Sequence, residues 1–182
     1  MKLSFSLLVL LFTLALPTQA QVNEWYQYKS EEFGYSISFP GEPEAMDQKV
    51  PSAIGELTLN IQYFAETNEG AENFMYMTNC TTYPDGALNL SDSTGKKDFF
   101  DGAVNGATTN VNGELISQKK IMLDGHEGRE MMVEIQEGTV VVLARLYLVG
   151  NRMYMLQTMT QKGNENNKIT KEFMDSFKFI KK

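Results

Sequence analysis

The last third of the chain shifts between two hydrophobic periods, and these predict three successive strands followed by one helix. From Thr139 to Val149 both faces are apolar, with Val140, Val142, Ala144, Leu146 and Leu148 on one and Val141, Leu143, Tyr147 and Val149 on the other. A strand of that kind belongs inside a sheet and is covered on both sides. Gly150-Asn151 then separates two β-rich runs and predicts a two-residue hairpin, because a primed turn needs positive φ and these residues tolerate it. Counting back from the turn sets Val149 opposite Arg152, Leu148 opposite Met153, Tyr147 opposite Tyr154, Leu146 opposite Met155 and Arg145 opposite Leu156. Tyr147 and Tyr154 become a cross-strand ring pair on the face that also carries Arg145. Upstream, Met131, Val133 and Ile135 alternate with Glu130, Met132, Glu134 and Gln136 as a third strand that turns at Glu137-Gly138. Downstream, Asn164 is a candidate cap for a helix whose Ile169, Phe173 and Phe177 recur every four residues, with Met174 widening the apolar face. Phe177-Lys178-Phe179 returns to period two and predicts a short closing strand.

Earlier segments follow the same two rules. Trp25, Tyr26 and Tyr28, then Tyr35, Ile37 and Phe39 alternating with serines up to Pro40, predict an opening hairpin. Met46 to Val50 reads as a short edge strand, and Leu57, Leu59, Ile61 and Tyr63 as one face of a longer one. Across the acidic loop Glu66 to Glu72, Phe74, Tyr76, Thr78 and Cys80 share a face opposite Met75, Met77 and Asn79. Pro84 to Lys97 has the turn residues of a connection. Phe99, Phe100, Ala103, Val104 and Ala107 then fall at helical spacing, weakened by Gly102 and Gly106 at roughly 1 kcal/mol each. Gly113 to Leu123 is a further strand, joined through Asp124-Gly125-His126-Glu127-Gly128 to the terminal block. No internal repeat or linker interrupts the series.

The first twenty residues do not fit this pattern. Lys2, the run Leu7 to Phe12 and the small residues of Thr18-Gln19-Ala20 are the marks of a signal peptide cleaved after Ala20, leaving one domain over 21–182. A membrane anchor is the competing reading, and it is the poorer one because the apolar run breaks at Pro17. The expected location is periplasmic or secreted, with no membrane insertion after cleavage. Since Lys2 is the only charged residue in that segment, its removal takes the formal charge from −7 to −8. An acidic chain without a basic run does not suit nucleic acid. Cys80 is the sole cysteine, so no internal disulfide can form and stability must come from the core.

The order of elements resembles the PsbP-like superfamily. The resemblance rests on Phe33-Gly34-Tyr35-Ser36-Ile37-Ser38-Phe39-Pro40, on Arg145-Leu146-Tyr147-Leu148-Val149-Gly150-Asn151-Arg152-Met153-Tyr154, and on Glu172-Phe173-Met174-Asp175-Ser176-Phe177-Lys178-Phe179. That group includes extrinsic proteins of photosystem II, a Ran-binding protein of the same fold and many uncharacterised exported bacterial proteins. The resemblance implies an α+β domain, an antiparallel sheet of about six to eight strands sandwiched by two or three helices. It implies a binding or assembly module. These are fold motifs, and none carries a catalytic residue, a cofactor or a photosystem or Ran partner over to this chain.

Candidate chemistry is correspondingly sparse. His126 is the only histidine, and with Asp124 and Glu127 it could serve acid-base or metal chemistry, but a lone turn histidine is ordinarily solvated and dispensable for folding. A zinc site normally draws on several His or Cys ligands. No Gly-x-Ser-x-Gly nucleophile turn appears. Cys80 sits in an alternating strand where a small buried hydrophobe is expected. Asn79-Cys80-Thr81 and Asn89-Leu90-Ser91 match a glycosylation pattern short enough to arise by chance. Met75 with Met77, and Met153 with Met155, are i and i+2 on strands, a spacing that could gather thioethers for Cu(I); the plainer reading is gap-filling in a core.

Arg145, Tyr147, Arg152 and Tyr154 form the one polar and aromatic patch where a ligand or partner could dock, against the alternative of an arginine paired with a carboxylate beneath the helix. Two function classes follow. One is an exported, non-catalytic binding or assembly module of the cell envelope, without cofactor or metal, whose partner is an envelope protein or a small ligand. The other is a periplasmic hydrolase or metal-dependent enzyme using His126 and nearby acids, which a pocket containing His126 would favour.

Overall fold

The structure is a computed structural model that describes residues 25–52 and 54–180; the predicted signal peptide and its cleavage point lie outside the described residues. Its elements run β1 (Tyr26–Ser30), β2 (Tyr35–Phe39), β3 (Glu44–Ser52), β4 (Gly55–Ala65), β5 (Asn73–Thr82), α1 (Ser93–Asn110), β6 (Glu114–Leu123), β7 (His126–Ile135), β8 (Val140–Val149), β9 (Arg152–Gln161), α2 (Lys168–Ser176) and β10 (Lys178–Phe179). Seven strands form one antiparallel sheet in the order β3-β4-β5-β9-β8-β7-β6, and β1-β2-β10 form a second, smaller sheet. Among the described residues no helix is long and apolar enough to cross a membrane.

The large sheet is covered differently on its two faces. On one, Tyr76, Cys80, Leu143, Tyr147, Tyr154 and Leu156 pack against Tyr35, Ile37 and Phe39 of β2 and Phe173, Met174 and Phe177 of the α2 segment. On the other, Met131, Val133, Val142, Ala144, Leu146, Met153 and Met155 pack against Phe100 and Val104 of α1. Strand β8 contributes to both clusters, which explains why its sequence is apolar at every phase. The β8–β9 hairpin has the register that counting from Gly150-Asn151 gives, from Val149 opposite Arg152 to Arg145 opposite Leu156. Gly150 at φ +60° supplies the positive φ that the turn needs.

The covering layer over the first face is not helix alone. The opening hairpin β1–β2 leaves the main sheet, takes β10 as its third strand and lies beside α2 as part of the cover. Its apolar alternation is used for layer packing, with Tyr35, Ile37 and Phe39 nearly inaccessible.

Several boundaries differ from the sequence expectation, each for a local reason. Asn167, not Asn164, caps α2: its side-chain oxygen accepts from Thr170 N at 2.7 Å. Asn164 is used one turn earlier, donating its N–H to Gln161 O and accepting from Asn167 N. The later start rotates the buried face onto Thr170, Phe173 and Met174, and leaves Ile169 exposed. Helix α1 begins inside the predicted connection, because Asp92 accepts from Gly95 N at 2.7 Å and turns Ser93 to Lys97 into helix. In β5 the register shifts between Asn73 and Met75, so Phe74 is exposed instead of sharing the buried face of Tyr76, Thr78 and Cys80. The edge strand β3 spans nine residues instead of the predicted Met46 to Val50. Finally, the β6–β7 connection is only Asp124-Gly125, at φ +49° and +81°, so His126 opens a strand opposite Leu123 and is not a turn residue.

Candidate functional site

Three chain reversals meet at one end of the large sheet: the β1–β2 turn at Phe33-Gly34, the β6–β7 turn at Asp124-Gly125 and the β8–β9 turn at Gly150-Asn151. They converge because β10 pairs with β2 and Ile180 N donates to Gly34 O at 2.9 Å, which draws the chain end across the ends of β8 and β9. Between them lies an open cleft of about 390 Å³. Phe33, Val149, Tyr154, Phe179 and Ile180 give it apolar walls, and Asp124, His126 and Arg152 supply its polar groups.

Long-range hydrogen bonds hold these walls. Tyr154 Oη donates to Phe33 O at 2.7 Å and Arg152 Nη1 to Glu32 O at 3.0 Å, so the β9 start grips the β1–β2 turn from across the chain. The Arg152 guanidinium lies 5.8 Å from the centroid of the Phe33 ring. Burial raises the Tyr154 hydroxyl above its ordinary pKa, which keeps it protonated and able to donate. The Phe179 ring meets both Tyr154 and His126 edge to face, with centroids 5.2 Å apart in each pair.

The four residues grouped by sequence are thus divided. Arg152 and Tyr154 line the cleft. Tyr147 lies behind it, stacked on Phe177 at 5.9 Å with nearly parallel rings and only 4% exposed. Arg145 shares the face of Tyr147 but turns away from the cleft and carries two ion pairs, Nε to Glu130 Oε2 and Nη1 to Asp175 Oδ1, both 2.8 Å. This is the arginine–carboxylate pairing beneath the closing helix, and it ties β8 to β7 and to α2.

Glu130 also meets Lys119 at 2.7 Å. Burial alone would raise its carboxyl pKa, but the hydrogen bonds from Lys119 and Arg145 outweigh that and hold it below its ordinary value of 4.5. A carboxyl lowered in the folded state contributes stability above its unfolded pKa and loses it as pH falls through the folded one. Glu130→Gln should therefore lower Tm at neutral pH while leaving a shallower fall in Tm below about pH 4.5 than the parent shows, a difference that a thermal-unfolding series across pH measures directly.

On the opposite side of the same sheet end is a second cleft of about 320 Å³, between the start of α1 and the β6–β7 and β8–β9 turns. Phe100 and Leu148 form its apolar part, Lys96 and Glu127 its charged part, and His126 borders this cleft as well as the first. Glu127 accepts from Arg129 Nη1 at 2.9 Å, which holds its carboxyl below the ordinary value. Arg129 is itself 4% exposed, its guanidinium 4.5 Å from the Phe100 ring centroid. Sequence reasoning passed over Arg129, although its phase with Met131 and Val133 marks an inward position. It named Phe33 and Phe179 as fold positions only, because their place in the cleft depends on β10 crossing to β2.

His126 therefore lies in a pocket, the arrangement that favours an enzymatic reading. Its ring, however, rests against Phe179, and among the described residues no group of three or more His, Cys, Asp and Glu side chains could hold a metal ion. His126→Ala should cost about 0.5–1.5 kcal/mol, the worth of an edge contact between rings, or roughly 1–6 °C in Tm for a chain of this size; a loss well beyond that would show a larger structural role. Cys80 is fully buried, and burial pushes its thiol up to about 12, an inert core group and no nucleophile.

No family profile matches the chain, and no curated protein matches it. Among solved structures, cyanobacterial PsbP (CyanoP) from Synechocystis sp. PCC 6803 superposes with a TM-score of 0.53 at 15% identity, covering 91% of this chain and 98% of that one. A protein of unknown function from Pseudomonas aeruginosa, PA94, aligns over 78% of this chain and 85% of its own at 11% identity, with a TM-score of 0.36. Together with the seven-stranded antiparallel sheet between α1 on one side and α2 with the small sheet on the other, the CyanoP match gives this chain a PsbP-like α+β fold.

Proposed function

We propose that this protein is an exported, non-catalytic binding or assembly module of the cell envelope, and that its ligand enters the cleft between Phe33, Tyr154 and Phe179. The observation that supports this reading is the aromatic-walled cleft of about 390 Å³ whose polar groups are Arg152, His126 and Asp124. Apolar walls with a few fixed polar groups suit a small ligand or a protein chain end that carries a carboxylate beside an apolar group. Arg152 would receive the carboxylate, through guanidinium N–H groups other than the Nη1 that donates to Glu32 O. The signal-like first twenty residues support delivery outside the cytoplasm, and the likeness to cyanobacterial PsbP extends to the fold alone.

The competing reading is a hydrolase that uses His126, and the position of His126 between two clefts is its single support. One experiment separates them. The mature chain, Arg152→Gln and His126→Ala are screened by thermal shift against short aromatic and aliphatic carboxylates, and in parallel against chromogenic ester and phosphate substrates. Binding predicts carboxylates that raise Tm in the parent and not in Arg152→Gln, with about 2.7 kcal/mol of stabilisation at a hundredfold excess over Kd. Turnover lost in His126→Ala would decide for the enzyme.

A further inference from the structure

We infer that Met75, Met77 and Met159 form a thioether site for Cu(I) on the α1 side of the large sheet, separate from the clefts. Met75 stands directly opposite Met159 across the β5–β9 pair, and Met77, two residues along the same face, stands opposite Gln157. Directly opposed Cβ atoms lie about 4.5–5.5 Å apart and diagonal neighbours about 7–8 Å. Three unbranched arms with three rotatable bonds each can close that triangle onto one ion.

Burial separates these methionines from the others on the face. Met153 and Met155 are 8% and 7% exposed and belong to the core beneath α1. Met75, Met77 and Met159 are only half-buried: Met159 touches the edge of the cluster beneath α1, and Met75 and Met77 lie beyond it. A half-exposed strand position ordinarily favours a β-branched or aromatic side chain, and here three flexible thioethers occur together.

The surroundings select the ion. Ala65 is opposite Met75 on β4, Val142 is opposite Met159 on β8, and Ala144 is opposite Gln157, so small and apolar groups leave the sulfurs room to move. Gln157 turns its amide nitrogen to Met155 Sδ at 2.8 Å, away from the triangle. Tyr63, opposite Met77, spends its hydroxyl on Glu44. The one carboxylate in the Met77 row, Glu44, stands a strand beyond Tyr63 and is bonded to its hydroxyl, and the positions directly opposite the three methionines carry no carboxylate or imidazole for a hard dication. Soft, uncharged sulfur ligands prefer Cu(I).

The test is anaerobic titration of the purified mature chain with Cu(I) against a chromophoric chelator, alongside Ag(I) titration followed by methionine methyl NMR. The chain should withhold one Cu(I) from the chelator. The methyl resonances of Met75, Met77 and Met159 should move with Ag(I) while those of Met153 and Met155 stay. Each of Met75→Leu, Met77→Leu and Met159→Leu should weaken retention, the triple variant should lose it, and Met153→Leu should keep it. Should the triple variant fail to fold, the single variants and the methyl shifts of the parent chain decide. A parent chain that yields all its copper to the chelator, or a folded triple variant that retains it, overturns the site.

Discussion

Leu146→Ala should lower the free energy of unfolding by about 2–5 kcal/mol, the range for a buried leucine whose site cannot collapse. Leu146 is fully inaccessible, sits in β8 opposite Met155, and faces the α1 layer with Phe100 and Val104. The sheet below it is fixed by pairing on both sides, to β7 through Arg129 and to β9 through Met155, so neither neighbour can move in to fill the space. Gly128 adds a further constraint, because a Cβ at that position would fall onto the Leu146 carbonyl oxygen; the backbone here is already as close as it can come. Denaturant unfolding of the variant beside Arg152→Ala, which removes a side chain at the cleft rim, gives the comparison. Equal, small losses at both positions would contradict the layer assignment of β8.

Tyr154→Ala should be as damaging, about 3–5 kcal/mol, the range for a buried aromatic truncated to alanine. As a hairpin residue beside the turn, Tyr154 has the sequence position of a partly exposed ring and of an intermediate loss; the structure leaves it 4% exposed among Tyr35, Phe177 and Phe179. Its hydroxyl also satisfies Phe33 O at 2.7 Å. Tyr154→Phe isolates that hydrogen bond and should cost about 0.5–1.5 kcal/mol, or more if the carbonyl is left dry. The pair of variants also reports on function, because Tyr154→Phe keeps the cleft wall while freeing the Phe33 turn. If Tyr154→Phe costs as much as Tyr154→Ala, the ring contacts contribute nothing and the aromatic layer is misassigned. Measured at equal folded fraction, ligand binding should survive in Tyr154→Phe better than in Tyr154→Ala.

Local rules carried much of the fold. The two-faced apolar run of β8, the Gly150-Asn151 turn and the register between β8 and β9 follow from side-chain period and from the φ requirement of a primed turn, and both act within a few residues. The short closing strand and the helical spacing around Phe100 and Val104 were legible for the same reason. Cap choice was less so, because Asn164 and Asn167 are chemically equivalent and only the path of the preceding turn selects between them. The bulge that turns Phe74 outward was hidden too, since a single added residue in one strand leaves no period to read.

The site depended on contacts between segments far apart in sequence. Arg145 and Tyr147 share a strand face with the cleft residues, yet Arg145 is taken by Glu130 and Asp175, and Tyr147 by Phe177, partners that strand alternation cannot specify. The cleft itself exists because β10 crosses to β2 and brings Phe179 to His126 and Tyr154, while Arg152 and Tyr154 hold the backbone of Glu32 and Phe33 from about 120 residues away. By itself the sequence determined which residues alternate, where the chain reverses and which strand lies covered on both sides, because period and turn geometry are local. Tertiary structure decided which side chains remain open to a ligand, because that is a competition among distant partners for the same hydrogen bonds, charges and ring faces.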